Sequence, residues 1–156
     1  ELVLAFSAKD MDWKAFEDKQ PTSVWKEMDH SKRKTCNPQK LTITTRIKII
    51  GKNVDLNIKT EGTDRVPFKA EFIFTANSDV SNEYFTVKGL PGQYIIPHKG
   101  NVKVKYRKDT MEIGPAFMKH SYVTNMRGSV PKSGRGFTIY FTDYTNIDRD
   151  IQIKCK

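Results

Sequence analysis

From Leu41 to the C-terminus, apolar and polar residues alternate one by one in six separate runs, and that period of two leaves few folds open. Successive side chains of an extended strand point to opposite faces, so an alternating run is a strand with one face buried and one in water. "LTITTRIKI" places Leu41, Ile43, Ile47 and Ile49 on one face around Thr45, and Thr42, Thr44, Arg46 and Lys48 on the other. "NVDLNIKT" does the same with Val54, Leu56 and Ile58, and "PFKAEFIF" with Phe68, Ala70, Phe72 and Phe74. The pattern returns in "NVKVKYRK" (Val102, Val104, Tyr106), "GFTIYFTD" (Phe137, Ile139, Phe141) and "DIQIKC" (Ile151, Ile153, Cys155). One-sided burial repeated this often marks antiparallel sheets.

The punctuation agrees with strands. "IIGKNV" (Ile49 to Val54) suits a tight hairpin, and "EGTD" (Glu61 to Asp64), "LPGQ" (Leu90 to Gln93) and "PKSGRG" (Pro131 to Gly136) carry turn chemistry. Nine to eleven strands at this spacing predict two packed sheets. The expected fold is all-β: an antiparallel two-sheet β-sandwich, jelly-roll-like, with its sheet core over residues 41–156. Residues 1–40 read as a mostly irregular arm with one or two short helices. Asp10 is a candidate N-cap for "DMDWKAFED", and Pro21 could open a second helix at "PTSVWKEM". Trp13, Phe16 and Trp25 are expected to anchor this arm to a sheet.

The 156 residues form one expected domain, long enough to bury a core without cross-links. The chain opens on Glu1 and on the strand-like "ELVLAF", which suggests a fragment of a longer protein. No apolar run approaches the ~20 residues of a membrane helix, so membrane insertion is not expected. Lys and Arg number 27 against 18 Asp and Glu, a net charge of +9 that favours anionic partners. The one dense basic cluster, "SKRK" (Ser31 to Lys34), is too short for a nucleic-acid arm, and nucleic acid is not favoured. Cys36 and Cys155 lack metal-knuckle spacing; they are either free thiols or one disulfide that closes a long loop.

Two constellations could carry function. "GPAFMKHSYVTNMRGS" holds His120, Tyr122 and Arg127; two apart on a strand, His120 and Tyr122 would share a face. A Tyr or His base with an Arg that neutralises a carboxylate is the equipment for β-elimination of uronic-acid polysaccharides. The plainer alternative makes His120 a rim residue and Tyr122 a corner hydrogen-bonder. The second constellation is the basic strand "KVKYRK", where Lys103, Lys105 and Arg107 form a comb with a step of about 7 Å, suited to an extended polyanion. Its plainer alternative is an edge strand that carries Lys against aggregation. The isolated His30, His98 and His120 argue against a three-His metal site, and Asp143, Asp148 and Asp150 read as an ordinary polar turn. No cofactor is expected.

Several runs together, "DWKAFEDKQP", "TCNPQ", "EGTDRVPFKAEF", "GPAFMKHSYVTNMRGS" and "FTIYFTDYTNIDRDI", resemble the C-terminal β-sandwich region of bacterial heparinase-like proteins, which process polysaccharides. In lyases of that kind the chemistry sits mainly on a helical toroid beside the sandwich. The resemblance therefore implies a non-catalytic accessory module that packs on a catalytic domain of its parent chain. It also implies export to the periplasm, the cell surface or the medium, where a Cys36–Cys155 disulfide is permissible. Anionic polysaccharide is the implied ligand, met by Lys103, Lys105 and Arg107, with His120, Tyr122 and Arg127 at a rim. The alternatives are a small stand-alone polysaccharide lyase using Tyr122, His120 and Arg127, and a structural protein-interaction domain without glycan contact.

Overall fold

Alternating runs that have one apolar face must pair edge to edge and then stack, and the computed structural model, which describes residues 1–122 and 136–156, shows how these runs do so. Eleven strands are present among the described residues. They are β1 (Leu2–Trp13), β2 (Thr35–Ile50), β3 (Asn53–Gly62), β4 (Pro67–Thr75), β5 (Ser78–Ser81), β6 (Thr86–Gly89), β7 (Tyr94–Ile95), β8 (Lys99–Tyr106), β9 (Asp109–Phe117), β10 (Gly136–Tyr144) and β11 (Asp148–Cys155). Eight of them make one antiparallel sheet in the order β1-β2-β3-β11-β9-β8-β5-β6. The other three make a mixed sheet, β4-β10-β7, antiparallel between β4 and β10 and parallel between β10 and β7.

The turns form where their residues dictate. Ile50 pairs with Asn53 around Gly51 and Lys52. Leu90 to Gln93 closes with the Gln93 N–H donating to the Leu90 carbonyl at 3.1 Å, and Gly92 takes the positive φ of +72° that the turn's third position needs. At the end of β3, Gly62 (φ +142°) lies so close to the Lys40 backbone that a side chain there would collide with the Lys40 carbonyl.

One apolar cluster joins the two sheets. Ile58, Val80, Val102, Val104, Ile113 and Ile151 from the large sheet meet Ala70, Phe137, Ile139 and Phe141 from the small one. Phe141 packs against Phe72 and Phe117 with ring centroids 5.2 and 5.5 Å apart, and Phe74 stacks on Phe137 at 5.5 Å. The predicted faces of β3, β4, β8, β10 and β11 are the faces that turn inward.

The arm departs from expectation. Residues 2–13 are a strand of twelve residues, paired in antiparallel register with Thr35–Ile47 of β2. The helix expected at "DMDWKAFED" is absent, because Met11–Trp13 continue β1 across an irregular register opposite Thr35, Cys36 and Gln39. Local capping preference is worth about 1 kcal/mol, too little to outweigh pairing along a whole strand. The second expected helix shrinks to a 3-10 turn at Trp25–Glu27, and another lies at His30–Lys32.

Candidate functional site

The basic comb rises from β8, whose alternation buries Val102 and Val104 and sends Lys103 and Lys105 out to solvent. β8 is not an edge strand: β9 flanks it on one side and β5 on the other. The explanation of these lysines as edge protection therefore fails. Arg107 leaves the comb. It occupies the β8–β9 turn with φ +56° and lays its guanidinium over the Tyr106 ring, 5.2 Å from the centroid.

Cross-strand register widens the comb into a lattice. Lys105 stands opposite Asp79 of β5, and Asp79 stands opposite Lys88 of β6. Lys103 stands opposite Glu112 of β9, and Glu112 opposite Lys154 of β11. Four lysines and two carboxylates thus share one exposed face. Lys88 Nζ donates to Asp79 Oδ1 at 2.8 Å. That hydrogen bond, then the charges of Lys88 and Lys105, hold the Asp79 carboxyl below its ordinary range. Glu112 Oε1 accepts from the Asn101 amide at 2.8 Å. Among the described residues Lys103 and Lys105 form no ion pair, so both ammonium groups face water. Lys88, Lys154, Asp79 and Glu112 were not singled out in the sequence, because they join the site only through register. Alternation in "TVKG" and "IQIK" does point Lys88 and Lys154 outward, which is the signal available for them.

The structure brings His120 and Tyr122 together, although no strand carries them: their rings stack with centroids 5.1 Å apart. They lie against β4 and β10 of the small sheet, whereas Lys103 and Lys105 belong to the large one. His120 is 5% exposed and both ring nitrogens are engaged. Nδ1 accepts the Tyr122 backbone N–H at 3.2 Å, which leaves the ring proton on Nε2 to donate to the carbonyls of Phe68 and Asp143, each at 3.0 Å. The Thr142 hydroxyl donates to the His120 carbonyl at 2.6 Å. Both ring nitrogens and the carbonyl of this histidine are spent on the fold, and no ring lone pair remains for a substrate proton. Tyr122 is 48% exposed. Burial first, then its hydrogen bond with Tyr122, raises the neighbouring Tyr144 phenol above its ordinary value. Arg127 lies outside the described residues.

The remaining candidates separate. Asp143 receives the Arg149 guanidinium through Nε at 3.0 Å and Nη2 at 2.6 Å, while Asp148 and Asp150 accept from Asn57 at 2.7 and 2.9 Å. Among the described residues no three His, Cys, Asp or Glu side chains gather as a metal site would require. Trp13, at the end of β1, joins Phe16 and Trp25 around Arg33, whose guanidinium lies 5.5–6.0 Å from each ring and donates to the carbonyls of Trp13 and Lys14.

Cys36 and Cys155 are free thiols. Cys36 stands at the start of β2 and Cys155 at the end of β11, at opposite ends of the large sheet. About fifteen residues of strand, roughly 50 Å, divide their levels, against the ~7 Å between Cα atoms that a disulfide tolerates. The loop-closing bond is not made.

Set beside family models, curated proteins and solved structures, the chain matches none of them.

Proposed function

We propose that the chain is a non-catalytic β-sandwich module, jelly-roll-like in type, of a secreted bacterial polysaccharide-processing protein. In this reading it packs on a catalytic domain of its parent and holds anionic glycan on the outer face of its large sheet. The observation that carries the glycan contact is the position of Lys103 and Lys105: two solvent-facing ammonium groups, without a salt bridge among the described residues, on an internal strand where protection of an edge gives no reason for them. The resemblance to heparinase-like proteins supplies the class of the parent and its export. The engagement of both His120 nitrogens supports an accessory role over the lyase alternative.

Surface ammonium groups bind a polyanion by displacing its counterions, so affinity falls steeply with salt. Lys103→Glu with Lys105→Glu is expected to abolish retention on a sulfated-polysaccharide column at physiological salt. Asp79→Asn is expected to move elution to higher salt, because it removes the carboxylate that faces both Lys88 and Lys105. Elution of the unmodified chain below physiological salt would overturn the reading.

A further inference from the structure

We infer that the uncovered apolar face of β1 and β2 is the contact between two copies of this chain. The large sheet has eight strands and the small one three, and the shared core takes nothing from β1 and only the half-buried Ile43 from β2. β1 and β2 thus overhang the small sheet, with their inward face unroofed. On that face Leu2, Leu4 and Phe6 are 53%, 52% and 63% exposed, and Ile49 at the end of β2 is 72% exposed.

Two features favour a second copy as the occupant. The first is charge. The chain carries +9, so two copies repel unless they meet where charge is missing. Register puts Glu1, Lys9, Arg46 and Lys48 on the other face, in line with Val3, Ala5, Ser7 and Thr44. From Leu2 to Ala8 and from Leu41 to Ile49 the inward face holds no charged residue. The second is area. Taking about 200 Å² for a large side chain in full exposure, the four named residues offer roughly 500 Å² of wet apolar surface, the size of the largest apolar patch on a typical monomer, which is often a functional surface. An isologous face-to-face contact buries that patch twice, about 1,000 Å² in total, which reaches the lower bound of a specific interface. The lysine lattice is on the opposite face of the same sheet, so this inference stands or falls apart from the glycan reading.

Sedimentation equilibrium of the 156-residue chain tests it. The expected result is a dimer at ~100 µM that Phe6→Lys converts to monomer, with dissociation strengthened at least ~100-fold. Val3→Lys, on the other face of the same strand, is expected to leave the dimer intact. Far-UV circular dichroism checks that each variant folds, and Ile49→Lys is a second variant on the same face should Phe6→Lys fail that check. A monomer at every concentration overturns the inference and leaves the face to another domain. A dimer that survives both Phe6→Lys and Ile49→Lys overturns it too, as does one lost equally in Val3→Lys, which would indicate pairing through the β1 edge.

Discussion

His120 shows how much a single side chain can decide. It is nearly inaccessible, its Nε2–H is shared between two carbonyls from paired strands, and its Nδ1 fixes the backbone of Tyr122. Replacing it with Ala removes the Nε2 donor that those two carbonyls share and opens a cavity. His120→Ala is therefore expected to lower unfolding free energy by about 2–4 kcal/mol, measured by urea denaturation. A loss under 0.5 kcal/mol would mean that water serves those carbonyls equally well. The sequence shows a His two residues from a Tyr and no more than that. Whether the imidazole faces substrate or backbone depends on Phe68 and Asp143, which are far away in the chain and adjacent only through β4–β10 pairing. Chemical type was legible here; availability was not.

At the level of elements, β10 has the densest surroundings. Phe137, Ile139 and Phe141 are fully buried on its inward face, and Thr138, Tyr140 and Thr142 are buried on the other. Truncation here removes contacts to both sheets, so Phe141→Ala is expected to cost about 3–5 kcal/mol, read as a lowered denaturation midpoint. The same change at the exposed Ile73 (58%) is expected to shift it little. Strand identity was readable wherever alternation was strict, and β2, β3, β4, β8, β10 and β11 were each anticipated from their own residues. β1 was readable only in "ELVLAF". Its second half and the first residues of β2 were not, because "TCNPQK" breaks alternation with Pro38 and with Asn37 at φ +48°. Pairing across more than twenty residues holds these segments extended, and no local window contains it.

For the whole molecule the governing fact is that cohesion comes from the layer between the sheets, with no covalent link from end to end. The two thiols are free and stand at opposite ends of the large sheet. Reductant is therefore expected to leave the thermal midpoint unchanged, and a fall of several degrees would show a cross-link. The strand count and the presence of two sheets could be anticipated from spacing alone. Which strands share a sheet could not: β11, last in sequence, sits between β3 and β9 in the middle of the large sheet.

That central insertion of β11 determines how the lysines are spaced. Along β8 the ammonium groups recur at about 7 Å, while Lys103 and Lys154, like Lys105 and Lys88, stand two strands apart, at about 10 Å. The face is then a ruler with two pitches at right angles, interrupted by Asp79 and Glu112. In the proposed glycan reading, a polymer laid along the strand would meet the short pitch and one laid across it the long pitch. The acidic residues between would then penalise any chain whose charge is spread continuously. Selection among polyanions would then depend on the period of their charges more than on their number.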